Sequence, residues 1–218
     1  RRSSDLNTCY MFNHRPNSLN AGSLWGRPFY ILREAWNILN AIAEGKIESG
    51  DEKKLNALKG ETMAVIALCQ FDLTRCFGYP YTKDKGASLG APLIDHLVGT
   101  YENPPRSTVA QAYDFIIETL EEAVTLMSEE KNNGRMNKYA ARALLARIYL
   151  YHDDNRKAFD LADQLIKDAD TSGSYALYPH EKYVAAWSVE AKFGSESFFE
   201  IANSVDDTPG RDSWGYLL

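Results

Sequence analysis

The chain is poor in the residues that most often carry out chemistry. It has three cysteines and four histidines in 218 residues. Cys69 and Cys76 fall two turns apart on one predicted helix, about 10 Å along its axis. A disulfide needs Cα atoms within about 7 Å of each other. The spacing also lacks the C-x-x-C form of a zinc or redox site. Both therefore read as buried free thiols, with Cys9 left open. His14, His96, His152 and His180 are scattered, with no H-x-x-x-H spacing for a metal. There is no G-x-S-x-G elbow, no phosphate-cradling glycine loop and no dinucleotide fingerprint. No cofactor and no metal are expected, and no catalytic residue is singled out.

Other shortages narrow the partners. Positive charge is scarce, with 24 Lys and Arg against 30 Asp and Glu and a formal net charge of -6. That argues against nucleic acid, whose binding draws on Lys and Arg neutralising phosphates. No apolar run approaches the roughly 20 residues that cross a bilayer. The adjacent acids Glu121-Glu122 and Asp153-Asp154 point in different directions on a helix, so they read as solvated rather than as a hydrolase's acid pair. The chain opens on Arg1-Arg2-Ser3-Ser4 and ends on Tyr216-Leu217-Leu218, which reads as part of something longer.

What is abundant is helical periodicity. The block from Gly134 to Tyr151 is a polar turn running into a helix with Ala140, Ala143 and Ala146 near one side. Small side chains let a neighbouring helix approach closely, as in stacked helix pairs. A first helix is predicted over Leu24 to Glu44, with Ile31, Leu32, Ala35, Ile38, Leu39 and Ile42 inward, capped by Ser23 and ended at Gly45. Pro28 is tolerable near its first turn. A second helix, capped by Asp51, covers Glu52 to Phe77. Gly60 inside it costs about 1 kcal/mol relative to Ala unless a neighbouring backbone comes close. A long loop from Tyr79 to Arg106 precedes a capping box, Thr108 with Gln111, that opens a third helix ending near Ser128. The fourth is Lys138 to Tyr151, and Asn155 caps a fifth with Ala158, Leu161, Ala162, Leu165 and Ile166 inward. Beyond Ser174 the pattern turns to extended pieces, with a short strand expected at Ser197 to Ala202. The expected fold is all-α, made of antiparallel tetratricopeptide-like helix pairs with long loops and a minor β element near the C-terminus. One domain covers 1–218, with a helical core at 24–170 and a mixed region at 171–218.

The ordered motifs add a resemblance. Lys59-Gly60-Glu61, the run from Gln70 to Tyr81, Leu89-Gly90-Ala91-Pro92-Leu93 and Pro105-Arg106-Ser107-Thr108-Val109 with Tyr113 resemble the SusD/RagB family. So do Leu120-Glu121-Glu122-Ala123, the Gly134 to Tyr151 block and Ser195 to Ile201. The set spans about Trp25 to Ala202. Arg33 departs from it, standing where an apolar residue is expected.

The resemblance implies a non-enzymatic lipoprotein of the outer-membrane surface. Such a protein binds glycans or other nutrients for delivery to a SusC-like TonB-dependent transporter. It also implies membrane attachment only through a lipid anchor, which none of the three cysteines supplies here. A tetratricopeptide-like scaffold for protein–protein interaction is the alternative, although the helix spacing is not a steady repeat of about 34 residues.

Ligand contacts are sought among aromatic residues lacking core periodicity, because a sugar's C–H face stacks on a ring whose polar tip stays wet. Trp25 with Asn17 and Asn20, close to His14 and Arg15, is the first candidate. Trp214 and Tyr216 with Asp212 are the second. Trp25 also has a plain packing role open to it, stapling the helix entrance to the second helix. Tyr79 and Tyr81 carry the same two readings.

Overall fold

A computed structural model of the protein describes residues 11, 20–47, 50–187 and 192–201. Among these residues five α-helices run α1 (Asn20–Ala43), α2 (Glu52–Phe77), α3 (Val109–Leu126), α4 (Lys138–Tyr151) and α5 (Asn155–Ser172). One antiparallel strand pair, β1 (Leu89–Pro92) and β2 (Arg106–Thr108), lies between α2 and α3. The expected all-α class of paired helices holds. The β element, however, joins the predicted loop (β1) to the residues at its end (β2), and residues 197–201 are irregular. Its register runs Leu89 to Thr108 and Pro92 to Arg106 with a break between. Arg106 supplies side-chain bonds that a ladder would otherwise make, its Nε donating to the Gly90 carbonyl at 2.6 Å. At the C-terminal side, Phe198 packs among Tyr139 and Tyr175 instead of joining a sheet.

Local chemistry explains most of the helix limits. The Asp51 carboxylate accepts from the N–H groups of Lys53 and Lys54 at 3.0 and 3.3 Å, and the Thr108–Gln111 box forms as expected. Gly45 ends the first helix at φ +67, with Lys46 N–H bonded to the Ala41 carbonyl and Gly45 N–H to that of Ile42. Three expectations need correction. Helix α1 starts at Asn20, so Ser23 lies within it and Pro28 is interior. The backbone bond that Pro28 forfeits falls on a turn whose residues 22–27 are all exposed, where water can replace it. The cap of α5 is Asp154, accepting from Lys157 N–H, rather than Asn155.

The core is continuous along α2, α3 and α4. Met63, Ala64, Ala67 and Phe71 meet Ala112, Ile116, Leu120 and Ala123, and Ala140, Ala141, Leu145 and Ile148 close the far side. A second cluster sets Leu32 and Ala35 of α1 against Ile66, Cys69 and Leu73. The face predicted for α1 is only half used: Ile31 and Ile38 are 41% and 37% exposed. Among the described elements, α1 packs on α2 and on the segment after it, so a narrow stripe suffices. Arg33 is likewise exposed, paired with Glu34 at 2.9 Å and lying over the Tyr30 ring. On α5, Ile166 faces outward for the same reason, beside buried Leu165 and Ala169. In the alanine-rich helix the deepest alanine is Ala141, while Ala143 is half-buried against a third cluster of Tyr139, Leu165, Ala169 and Tyr175. Of the cysteines, Cys69 is buried but Cys76 is exposed on the last turn of α2.

Gly60 decides how close α2 and α3 come. A Cβ there would lie 2.7 Å from Met127 Cγ and 2.9 Å from the Ala123 carbonyl oxygen. The close approach that would justify a helical glycine is present. Gly60→Ala should therefore lower stability by about 1–3 kcal/mol through overpacking, although alanine is the better helix former by about 1 kcal/mol. Urea unfolding with an unchanged m value would measure it, and a stabilised variant would contradict the contact.

Candidate functional site

Antiparallel packing gathers the start of α1, the end of α2, the start of α3 and the end of α4 at one end of the bundle. Ring contacts mark that end. Trp25 meets Phe29 at 5.0 Å and Phe77 edge-on at 4.8 Å. Phe71 meets Tyr113 and Tyr151, and Tyr81 meets Tyr113 and His152. The inner members, Phe71 and Tyr113, are buried. Burial, with Tyr151 nearby, pushes the Tyr113 hydroxyl up to about 12, so it stays neutral.

The outer members face solvent beside cations. Tyr79 is 56% exposed, with Lys83 Nζ 3.0 Å from its ring centre. Arg75 lies over Phe71 and Tyr151 and pairs with Asp72 at 2.8 Å. Cation–ring contacts of this kind are worth about 0.5–1 kcal/mol at exposed sites. The result is a rim of half-exposed rings held by fixed charges.

Of the candidate ligand residues, Trp25 is the one whose side chain is described. Its indole is 39% exposed and also staples α1 to the last turn of α2. The packing role of Trp25 is thus present in the structure. Asn20 opens α1, but its side chain is outside the description, as are Cys9, His14, Arg15, Asn17, Asp212, Trp214 and Tyr216. Tyr79 faces solvent, whereas Tyr81 is half-buried in the ring cluster. The pairing of Arg75 with Tyr151 was not legible in the sequence. The two stand 76 positions apart on different helices, so no local spacing links them.

The adjacent acids Glu121-Glu122 and Asp153-Asp154 are engaged within the fold. Glu121 accepts from the Tyr149 hydroxyl, Glu122 pairs with Lys59 at 2.9 Å, and Asp154 is the helix cap. In the loop, His96 is gripped on both ring nitrogens, by Asp95 at 2.6 Å and Glu102 at 2.7 Å. Glu102 also accepts from Gly99 N–H at 3.0 Å. Among the described residues, no group of three or more His, Cys, Asp and Glu could hold a metal. No described helix is long and apolar enough to cross a membrane.

Paired antiparallel helices of this kind define a tetratricopeptide-like helical scaffold. The family described as "Starch-binding associating with outer membrane" matches residues 2–150, and the chain belongs to this SusD-like family. A SusD superfamily protein from Bacteroides vulgatus is 99% identical over 98% of this chain and 48% of its own, with a TM-score of 0.94. Another, from Bacteroides thetaiotaomicron, is 39% identical over 84% of this chain and 39% of its own, with a TM-score of 0.79. A laminarin-binding SusD-like protein shares the fold at 21% identity and a TM-score of 0.72, over 97% of this chain and 43% of its own. The chain thus spans about half or less of the solved structures it matches. No match was found among curated proteins.

The His96 clasp has a pH signature. Hydrogen bonds to Asp95 and then Glu102 hold its pKa above the ordinary value, while the bond from Gly99 and then that from His96 hold Glu102 below its own. The contribution of His96 is fully present below its unfolded pKa of about 6.5 and is lost as pH rises through its raised folded value. That of Glu102 is present above its unfolded pKa of about 4.3 and is lost as pH falls through its lowered one. An NMR titration should find His96 still protonated where a free histidine is neutral, and His96 titrating at the free value would disprove the clasp.

Proposed function

We propose that this chain is the helical-repeat part of a non-enzymatic protein that binds glycans at the outer-membrane surface and hands them to a SusC-like TonB-dependent transporter. The family match over residues 2–150, with its starch-binding, outer-membrane description, carries the reading. The aromatic rim supports it, because half-exposed rings beside polar groups suit sugar faces. Attachment to the membrane is through a lipid anchor outside this sequence.

Ligand contacts are assigned to Trp25 with Asn17 and Asn20, and secondarily to Trp214 and Tyr216. A protein–protein scaffold is the second reading. The exposed Leu24, Ile31 and Ile38, one per seven residues along α1, favour it.

Calorimetric titration with maltohexaose, beside a reducing-sugar release assay, tests the proposal. The sugar should bind with millimolar to micromolar affinity, about 4–8 kcal/mol, and remain intact over long incubation. Trp25→Ala should weaken binding about tenfold, or about 1.4 kcal/mol. Because the indole also packs on Phe77, Trp25→Phe serves as the control that keeps a ring at that position. Undiminished binding by Trp25→Ala, with a lower melting temperature, would leave Trp25 a packing residue only. Sugar release abolished by changing one Glu or Asp would overturn the non-enzymatic reading.

A further inference from the structure

The opposite end of the bundle holds a second concave surface, made by the first turns of α2 and the α3–α4 connection. A cleft of about 560 Å³ opens there, within the range of about 300–1,000 Å³ usual for small-molecule sites. Its floor is Leu58, Met127 and Met136, and its rim carries Lys53, Glu130 and Asn132. A shallow second hollow lies on the other side of the same connection, lined by Asn132, Asn133 and Gly134 on one side and Phe193 and Phe199 on the other. The turn at Asn132–Arg135 is the ridge between them.

The ridge is held from below. Arg135 Nε donates to Glu61 at 2.9 and 3.3 Å, and Glu61 also accepts from Met136 N–H at 3.0 Å. The Glu61 side chain is largely buried under this pair. Asn137, itself buried, donates to the Glu130 carbonyl at 3.2 Å and the Tyr175 hydroxyl at 2.7 Å, and accepts from Ala140 N–H. Arg135 N–H closes the turn on the Asn132 carbonyl at 3.0 Å. On the far side, Lys131 donates to the Gly194 carbonyl at 2.7 Å and fixes the segment that carries Phe199.

Two amide side chains top this rigid turn without use for the fold. Asn132 and Asn133 are exposed, and neither side chain bonds to any described residue. Each amide offers a donor and an acceptor side by side, the pattern that adjacent sugar hydroxyls answer. Charge at the cleft is balanced: Arg135 is paired with Glu61 and Lys54 with Asp51, leaving Lys53 opposite Glu130. That balance disfavours an anionic ligand. Met127 and Met136 are almost fully buried, so the floor offers too little apolar area for a hydrophobic peptide. Phe199, 38% exposed, supplies a ring on the second side.

Resting on the glycan-binding reading above, we propose that the Asn132–Asn133 ridge is a second contact surface for a neutral oligosaccharide. The sugar chain lies across the turn, from the cleft beside Lys53 to the ring of Phe199. Along α2, Glu61 under the ridge and Phe77 beside Trp25 stand 16 residues apart, a distance of about 24 Å at 1.5 Å per residue. The two surfaces therefore engage separate stretches of a polymer, and their combination gains affinity for long chains by raising effective concentration.

Titration of the ¹⁵N-labelled chain with maltohexaose, and separately laminarihexaose, reads both ends at once. The side-chain amide signals of Asn132 and Asn133 should move with at least one of the two sugars. Asn132→Ala/Asn133→Ala should raise the dissociation constant at this end about tenfold with an unchanged melting temperature. Lys53→Ala, on a different element, should weaken the same site. If the Trp25 indole signal moves while both amides stay still, the ridge is not a glycan contact and only this inference falls. If neither sugar moves any signal, the glycan-binding reading falls and takes the ridge with it.

Discussion

The missing side chain at Gly60 sets the geometry of the bundle. Gly60, Ala64, Ala67 and Phe71 form one row along α2, facing Ala123, Leu120, Ile116 and Ala112 in the core. The row grades from no side chain to a full ring. Near Gly60 the α3 backbone itself is the contact surface, with the Ala123 carbonyl inside the space a Cβ would need. Near Phe71 the space between helices is filled by rings, Tyr113 and Tyr151. Dense packing requires that such a graded row be matched by its partner. The same gradient that fits α2 to α3 thus also decides which end of the bundle is aromatic.

The long connection between α2 and α3 is ordered by one buried amide. Gln70, fully buried, donates to the Pro92 carbonyl at 3.1 Å and accepts from Ile94 N–H at 3.3 Å. Trp36 Nε1 adds a bond to the Ile94 carbonyl at 3.2 Å. Together they satisfy backbone groups that a short strand pair leaves open. Losing the amide would leave two buried polar groups unpaired, at about 1–3 kcal/mol each. A segment rich in glycine and proline is in this way tied to α1 and α2, with the His96 clasp and exposed Tyr79 at fixed places on it.

Where the sequence was legible, the responsible physics was local. Asp51 and the Thr108–Gln111 box act within a few residues, so their effect can be read from spacing. The buried face of α3 follows from its own periodicity, Val109 through Met127. Misreadings arose where a distant partner decides. Ile31, Ile38 and Ile166 have the right period for burial, but no described element covers them. The strand at 89–92 depends on Arg106, whose guanidinium reaches back across the turn to the Leu89 and Gly90 carbonyls. At the aromatic end, the sequence reached the packing role of Trp25 against α2. It missed Tyr151 with Arg75, and it read the Gly134 turn only as the start of a packed helix, because periodicity carries no information about which polar side chains the fold leaves unbonded.

The two ends differ in how they hold their polar groups, and that difference bears on affinity. At the aromatic end, Arg75 and Lys83 lie on rings, so a sugar stacking there competes with a cation for the same face. The competition limits a contact on Tyr79 or Tyr151 to a modest gain, whereas the ring contacts of Trp25 among the described residues are with Phe29 and Phe77. At the amide end Arg135 is paired with Glu61, and the Asn132 and Asn133 amides bond to no described residue, so no bond of those amides must be displaced. A ligand there loses little to reorganisation, but among the described residues lining the two hollows it finds one exposed ring, Phe199. Neither end alone has the features of a tight site. Weak contacts at separated places on a rigid scaffold are instead suited to a long, repetitive ligand, which can be held at several points and released from each in turn.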